Sequence, residues 1–94
     1  MNTIWKYELD FKAITKLQIP KDAEILTLQQ DQKTYKPCIW LIVNTDNEPE
    51  ERFFELFGTG QEIKWDMGVN RKYIGTYQYQ KGEFVGHVFE YTGI

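Results

Sequence analysis

Apolar and polar residues alternate along most of this chain with a period of two. Near the start, charged residues separate Trp5, Tyr7 and Leu9, and the same alternation returns at Leu17 and Ile19. Successive side chains of a β-strand point to opposite faces, so this pattern predicts strands that each bury one face.

The middle of the chain carries an uninterrupted apolar run from Cys38 to Val43. Such a run is typical of a central strand that is covered on both faces. In the segment before it, Leu26 and Leu28 are predicted to share a face, as are Phe54 and Leu56 in the segment after it. About seven strands in 94 residues predict one all-β domain over residues 1–94, either a small barrel or a compact sandwich of mostly antiparallel strands.

The last third of the chain predicts a hairpin that turns at Lys81-Gly82. Pairing outward from that turn places Tyr77 opposite Gly86, where an aromatic ring stabilises the bare backbone of a glycine within a sheet. The same register places Ile74 opposite Phe89. One face then carries Tyr73, Tyr77, Tyr79, Phe84 and Val88, and the other carries Ile74, Val85, His87 and Phe89. Because both faces are apolar, the hairpin either lies inside the fold or presents one face to a partner.

Composition narrows the classes of function. The formal net charge of −3 disfavours a general nucleic-acid binder, because phosphate contacts need a basic surface. The N-terminal residues lack the layout of a signal peptide, and no apolar run is long enough to span a membrane, so we expect a soluble cytoplasmic protein. Aromatic residues make up 16% of the chain, enough to supply both a small core and a binding surface.

The chain has little catalytic equipment. His87 is the lone histidine and Cys38 the lone cysteine, too few ligands for a mixed zinc site. Cys38, between Pro37 and Ile39, is predicted to be a small buried residue. His87 is a possible general base, although a histidine on a half-buried strand is more often a hydrogen-bonded structural residue. We therefore predict no enzyme activity, no metal and no cofactor.

Gly58, Thr59 and Gly60 form the one loop that suggests a ligand. Glycines let main-chain amides approach an anion closely, and two or three converging amides bind one without net positive charge. Arg52 and Arg71 are candidate cationic donors for such a site, and Trp40, Trp65 or a tyrosine would stack on a flat ligand. The alternative is an ordinary turn at the end of a strand.

The landmarks KYEL, AEILTLQ, PCIW, FGTG, YIGT and GHVFE occur in the order that is seen in a family of small proteins encoded by phages and prophages, a domain of unknown function. The chain resembles that family over its whole length. Typical members carry GTGHPI where this chain has GTGQEI, so Gln61 replaces a histidine. The resemblance implies phage origin and expression in the host cytoplasm, and it implies no reaction.

Two hypotheses about function follow. The first is a phage counter-defence protein, an oligomeric sponge that sequesters an anionic nucleotide signal. The loop Gly58–Gly60, Arg52 and Arg71 would hold the anion, Trp40 or Tyr73 would stack, and His87 would donate a hydrogen bond. The second is a protein-binding inhibitor or phage accessory factor that acts through an aromatic surface or an open strand edge. A small hydrolase that uses His87 is a third and weaker alternative.

Overall fold

Seven antiparallel strands build two sheets. The computed structural model describes residues 1–64, 70–79 and 82–93. The strands are β1 (Asn2–Glu8), β2 (Ile14–Pro20), β3 (Glu24–Gln30), β4 (Pro37–Asn44), β5 (Pro49–Gly58), β6 (Asn70–Tyr79) and β7 (Phe84–Gly93). Their order is β1-β4-β3 in one sheet and β2-β5-β7-β6 in the other. The predicted all-β fold is confirmed, and of the two predicted architectures the sandwich is the observed one because the sheets do not close into a barrel.

Each segment that connects one sheet to the other crosses an end of the sandwich. The segments 9–13 and 21–23 lead into and out of β2, and 45–48 leads from β4 to β5. The Cα envelope of 40 × 38 × 17 Å has one thin dimension, which fits two sheets about 10 Å apart. The core between them is formed by Leu9, Ile19, Ile39, Leu41, Val43, Phe54, Tyr77 and Val88. No helix among the described residues is long and apolar enough to cross a membrane.

Strand β4 is central in its sheet, but only one of its faces is covered. Ile39, Leu41 and Val43 are buried against the other sheet, whereas Ile42 on the opposite face is 39% exposed. The prediction that both faces are covered is therefore wrong. A bulge between Ile25 and Thr27 also turns Leu26 outward while Leu28 packs against the core, so these two leucines do not share a face.

The hairpin of β6 and β7 has the predicted register over its distal half, from Tyr79 opposite Phe84 to Gly75 opposite Val88. Tyr77 lies on Gly86 as expected. A Cβ atom added to Gly86 would lie only 2.5 Å from Cε1 of the Tyr77 ring. The predicted turn residue Lys81 lies outside the described residues.

A second bulge changes the proximal half of the hairpin. Tyr73, rather than Ile74, is opposite Phe89, because the register shifts between Tyr73 and Gly75. Ile74 packs against the core and Tyr73 turns outward, 56% exposed. The predicted placement of these two side chains is therefore reversed, and Tyr73 joins the face that carries His87 and Phe89.

Candidate functional site

The Gly58–Gly60 loop forms a tight turn in which most of the main-chain amides already donate hydrogen bonds to nearby residues. The Thr59 amide donates to the Val85 carbonyl at 3.2 Å, and the Gln61 amide donates to the Gly58 carbonyl at 3.0 Å. The Gly58 amide donates to Oε1 of the Gln61 side chain at 3.0 Å. Gly60 has a φ of +87°, a conformation that glycine adopts without steric cost. This geometry matches the alternative of an ordinary turn, and Gln61 stabilises it.

Thr59 and His87 nevertheless come together on the outer face of the four-stranded sheet. The Thr59 hydroxyl lies 2.6 Å from Nε2 of His87, and the Thr76 hydroxyl lies 2.9 Å from Nδ1. The Tyr73 hydroxyl lies 2.5 Å from that of Thr76, which completes a hydrogen-bonded chain of four side chains. Both imidazole nitrogens therefore have partners, as in a structural histidine.

Aromatic rings surround this chain. Phe89 lies 5.8 Å from Phe57 and 5.4 Å from Tyr73 between ring centroids, and both pairs meet edge to face. The pairing of Phe53 with Tyr91 extends the same surface along β5 and β7. We call this surface the aromatic face; its rings are Phe53, Phe57, Tyr73, Phe89 and Tyr91.

Arg52 does not reach the loop. Its side chain points between the sheets at the opposite end of β5, where Nε and Nη2 donate to the two carboxylate oxygens of Glu90 at 2.6 and 2.7 Å. Its Nη1 donates to the Ala23 carbonyl at 2.8 Å. The hydrogen bonds to Glu90 raise the pKa of Arg52 above its ordinary value. The predicted convergence of Arg52 with Thr59 is wrong, because even-numbered residues of β5 face the interior.

The open cavity beside Arg52 is also poorly suited to an anion. Its lining includes the acidic residues Asp22, Glu50, Glu51 and Glu90. Only Arg52 and Lys72 oppose them among the described lining residues.

Arg71 lies on the same outer face as His87 and contacts several groups there. Its Nε donates to Glu55 at 2.7 Å, and both side chains are about one-tenth exposed. Its Nη1 donates to the Lys64 carbonyl at 3.1 Å, and the guanidinium lies 5.8 Å from the centroid of the Phe57 ring. Arg71 therefore borders the aromatic face as an ion-paired group.

Trp40 lies on the outer surface of the other sheet. The Lys6 ammonium lies 5.6 Å from the Trp40 ring centroid and pairs with Asp31. Trp40 and Thr59 are thus on different sheets and do not form one site. Trp65, the other tryptophan considered as a stacking residue, lies outside the described residues.

A cluster of metal-ligand types lies near Lys6. One ligand atom from each of Glu8, Asp31 and Cys38 falls within 4.8 Å of the others. Hydrogen bonding to Lys6 holds the pKa of Asp31 well below its usual range, and burial raises the pKa of the Cys38 thiol. A lysine ammonium already supplies the positive charge here, and the thiol is fully buried as predicted.

An apolar concave surface that the sequence did not indicate lies at the end of the sandwich opposite Arg52. We call it the aromatic groove. It has a volume of about 490 Å³ and is lined by Phe11, Lys12, Ala13, Leu56, Gly58, Gln61, Tyr79 and Phe84. Phe11 belongs to the β1–β2 connection and is 46% exposed, and its ring meets that of Tyr79 edge to face at 5.2 Å. Phe11, an apolar ring within a short polar connection, is the sequence feature that could have indicated this groove.

Comparison with known proteins gives a family and no function. Neither the curated proteins nor the solved structures include a match to this chain. The sequence profile of a domain of unknown function, DUF7352, matches residues 1–93, and the chain therefore belongs to that family.

Proposed function

We propose that this protein is a non-catalytic, phage-encoded binding protein that occupies a partner protein in the host cytoplasm through its aromatic face. One observation carries the proposal: the outer face of an antiparallel sheet, the side that is usually polar, here presents five aromatic rings. Aromatic residues are enriched in the buried centres of protein interfaces, and exposed apolar patches mark such sites.

Tyr73 is the most suitable anchor of this surface. It is 56% exposed, and Phe89 and the Thr76 hydroxyl fix the orientation of its ring. A held aromatic ring loses little entropy on binding, which is typical of interface hot spots. The hydrogen-bonded chain from Tyr73 to Thr59 supplies the polar rim. Phage origin rests on the resemblance described above. The partner could also be a second copy of this chain, which would associate through the same rings.

The test compares two matched surface tyrosines. Tyr35 is 50% exposed but lies on the β3–β4 connection, where its ring contacts Tyr79 rather than the aromatic face. We expect Tyr73→Ser to weaken partner binding by about 1–3 kcal/mol, the cost of truncating a hot spot. Tyr35→Ser should leave it unchanged. Immobilised wild type and both variants would be compared by quantitative capture from infected-host extract, and light scattering would report self-association.

Loss of a captured partner in Tyr73→Ser alone supports the aromatic face. Equal capture by all three proteins, or a loss confined to Tyr35→Ser, overturns it.

Nucleotide sequestration is the second candidate. It is favoured by the meeting of Thr59, His87 and Tyr73 in one hydrogen-bonded chain with Arg71 at the border of the same face. A bound phosphate would replace Glu55 as the partner of Arg71. Calorimetry against cyclic and ADP-ribose-type nucleotides tests it. Saturable heat that Arg71→Gln abolishes supports this candidate, and absence of heat across the panel rejects it.

A further inference from the structure

The aromatic groove has the form of a small-molecule site. Its volume of about 490 Å³ lies within the range of ligand pockets, roughly 300–1,000 Å³. Phe11, Tyr79 and Phe84 contribute aromatic rings to its lining, so a flat ring that enters would meet aromatic surface. Gly58 contributes no side chain; a Cβ atom there would lie 3.2 Å from the Phe84 ring and would narrow the entrance.

The buried hydroxyl of Tyr77 lies close to Leu56 of the groove lining. Tyr77 is only 4% exposed, and its ring centroid is 6.5 Å from that of Phe11 and 6.4 Å from that of Phe84. The carbon that bears the hydroxyl lies 2.8 Å from the position of a Cβ on Gly86, where Leu56 of the groove wall is also close, at 2.9 Å. Among the described residues, no group forms a hydrogen bond with that hydroxyl.

An unsatisfied buried hydroxyl is costly, and native proteins usually satisfy one with a protein group, water or a ligand. Burial raises the pKa of Tyr77 to about 12, so the group keeps its proton at neutral pH and can donate. An acceptor atom on a ligand would satisfy this donor.

We propose that the aromatic groove binds a small, uncharged aromatic heterocycle whose ring acceptor receives a hydrogen bond from the Tyr77 hydroxyl. The walls select a flat apolar body, and the hydroxyl selects a lone pair. Lys12 is the one cation among the described lining residues, and it lies 3.6 Å from Asp10, so the charge there is nearly balanced and favours a neutral ligand. This site is separate from the aromatic face and does not depend on it.

Two probes of equal shape test the proposal. Quinoline has a ring nitrogen with a free lone pair, and naphthalene has none. Titrations of the full chain followed by amide NMR shifts would give both dissociation constants and the site, from Gly58 and Phe84. We expect quinoline to bind about tenfold more tightly, the typical effect of one hydrogen bond in a buried site.

Tyr77→Phe keeps the ring on Gly86 and removes the donor. That variant should bind quinoline and naphthalene with about equal affinity, and its affinity for naphthalene should equal that of the wild type. Phe11→Ser should weaken both probes equally, and Leu26→Ser, on the outer surface of the other sheet, should change neither. We also expect ligand-free Tyr77→Phe to melt at the same temperature as the wild type or higher, because the variant removes a buried hydroxyl that has no partner among the described residues.

Four results would overturn the proposal. Three concern binding: equal affinity of the wild type for the two probes, an unchanged preference in Tyr77→Phe, and shifts that lie away from the groove. The fourth is a clear fall in the melting temperature of Tyr77→Phe, which would show that the hydroxyl already has a structural partner.

Discussion

The two ends of β5 differ on their interior side: polar groups are paired at one end, and a groove is open at the other. Arg52 and Gly58 are about 20 Å apart along the strand and both face inward. At the Arg52 end, a guanidinium binds both oxygens of Glu90 and the Ala23 carbonyl, and thereby fastens the β2–β3 connection across the sheets. At the Gly58 end the aromatic groove is open, and the Tyr77 hydroxyl beneath it has no partner among the described residues.

This difference separates polar groups that maintain the fold from polar groups that are available to a ligand. Glu90 is buried and fully used, so its removal would leave a charge without compensation. Tyr77 is buried and its hydroxyl has no partner among the described residues, so this hydroxyl does not stabilise the folded state. We expect mutations at the Arg52 end to change stability and mutations at the Gly58 end to change binding.

The largest expected effect is at Glu90. Glu90→Gln leaves Arg52 buried without its counter-charge, and we expect a loss of about 3 kcal/mol in the free energy of unfolding, measured by urea denaturation. The control is Glu51→Gln, which breaks the exposed 3.7 Å pair with Lys16 and should cost less than about 1 kcal/mol. Equal effects of the two substitutions would contradict the structural role of the Arg52 end.

A smaller effect is expected at Gly86. An alanine there would place Cβ 2.5 Å from the Tyr77 ring and 2.9 Å from Leu56, so Gly86→Ala should destabilise the fold by about 2 kcal/mol through overpacking. Gly58→Ala meets only the edge of the Phe84 ring at 3.2 Å and should cost less. Since alanine normally stabilises a strand relative to glycine, a gain in stability for Gly86→Ala would show that the ring does not lie there.

The smallest effect is a dependence of stability on alkaline pH. The pKa of Tyr77 is raised from 10.0 to about 12 in the folded state, so between these values the unfolded chain loses the proton first and the folded state loses relative stability. At pH 11 we expect a loss of about 1 kcal/mol that is absent from Tyr77→Phe, measured by denaturation of both proteins from pH 8 to pH 11. Identical pH profiles would place the hydroxyl in water.

The sequence predicted the strands and most of the last hairpin because alternation and turn residues are local signals. Tyr77 on Gly86 followed from counting outward from one turn. The bulges between Ile25 and Thr27 and between Tyr73 and Gly75 escaped prediction; they lie on strands β3 and β6, which pack against each other across the sandwich. Gly75, for example, lies 3.2 Å by its Cβ position from Leu28, a contact that only tertiary packing creates.

The candidate site was predictable only in part, for the same reason. Thr59 and His87 do meet, because the strand register brings them together. The partners of Arg52 and Arg71 were not predictable, because Glu90 and Glu55 are distant in sequence and any of the chain's acidic residues was a possible partner. Phe11 reaches the groove through the β1–β2 connection, whose path alternation does not describe.

The extra residue in β6 has a consequence for evolution of this hairpin. Removing one residue between Asn70 and Ile74 would bring Ile74 opposite Phe89, on the solvent side, in place of the phenol of Tyr73. Relatives that differ here by a single insertion or deletion would therefore share the fold but present different chemistry to whatever they bind.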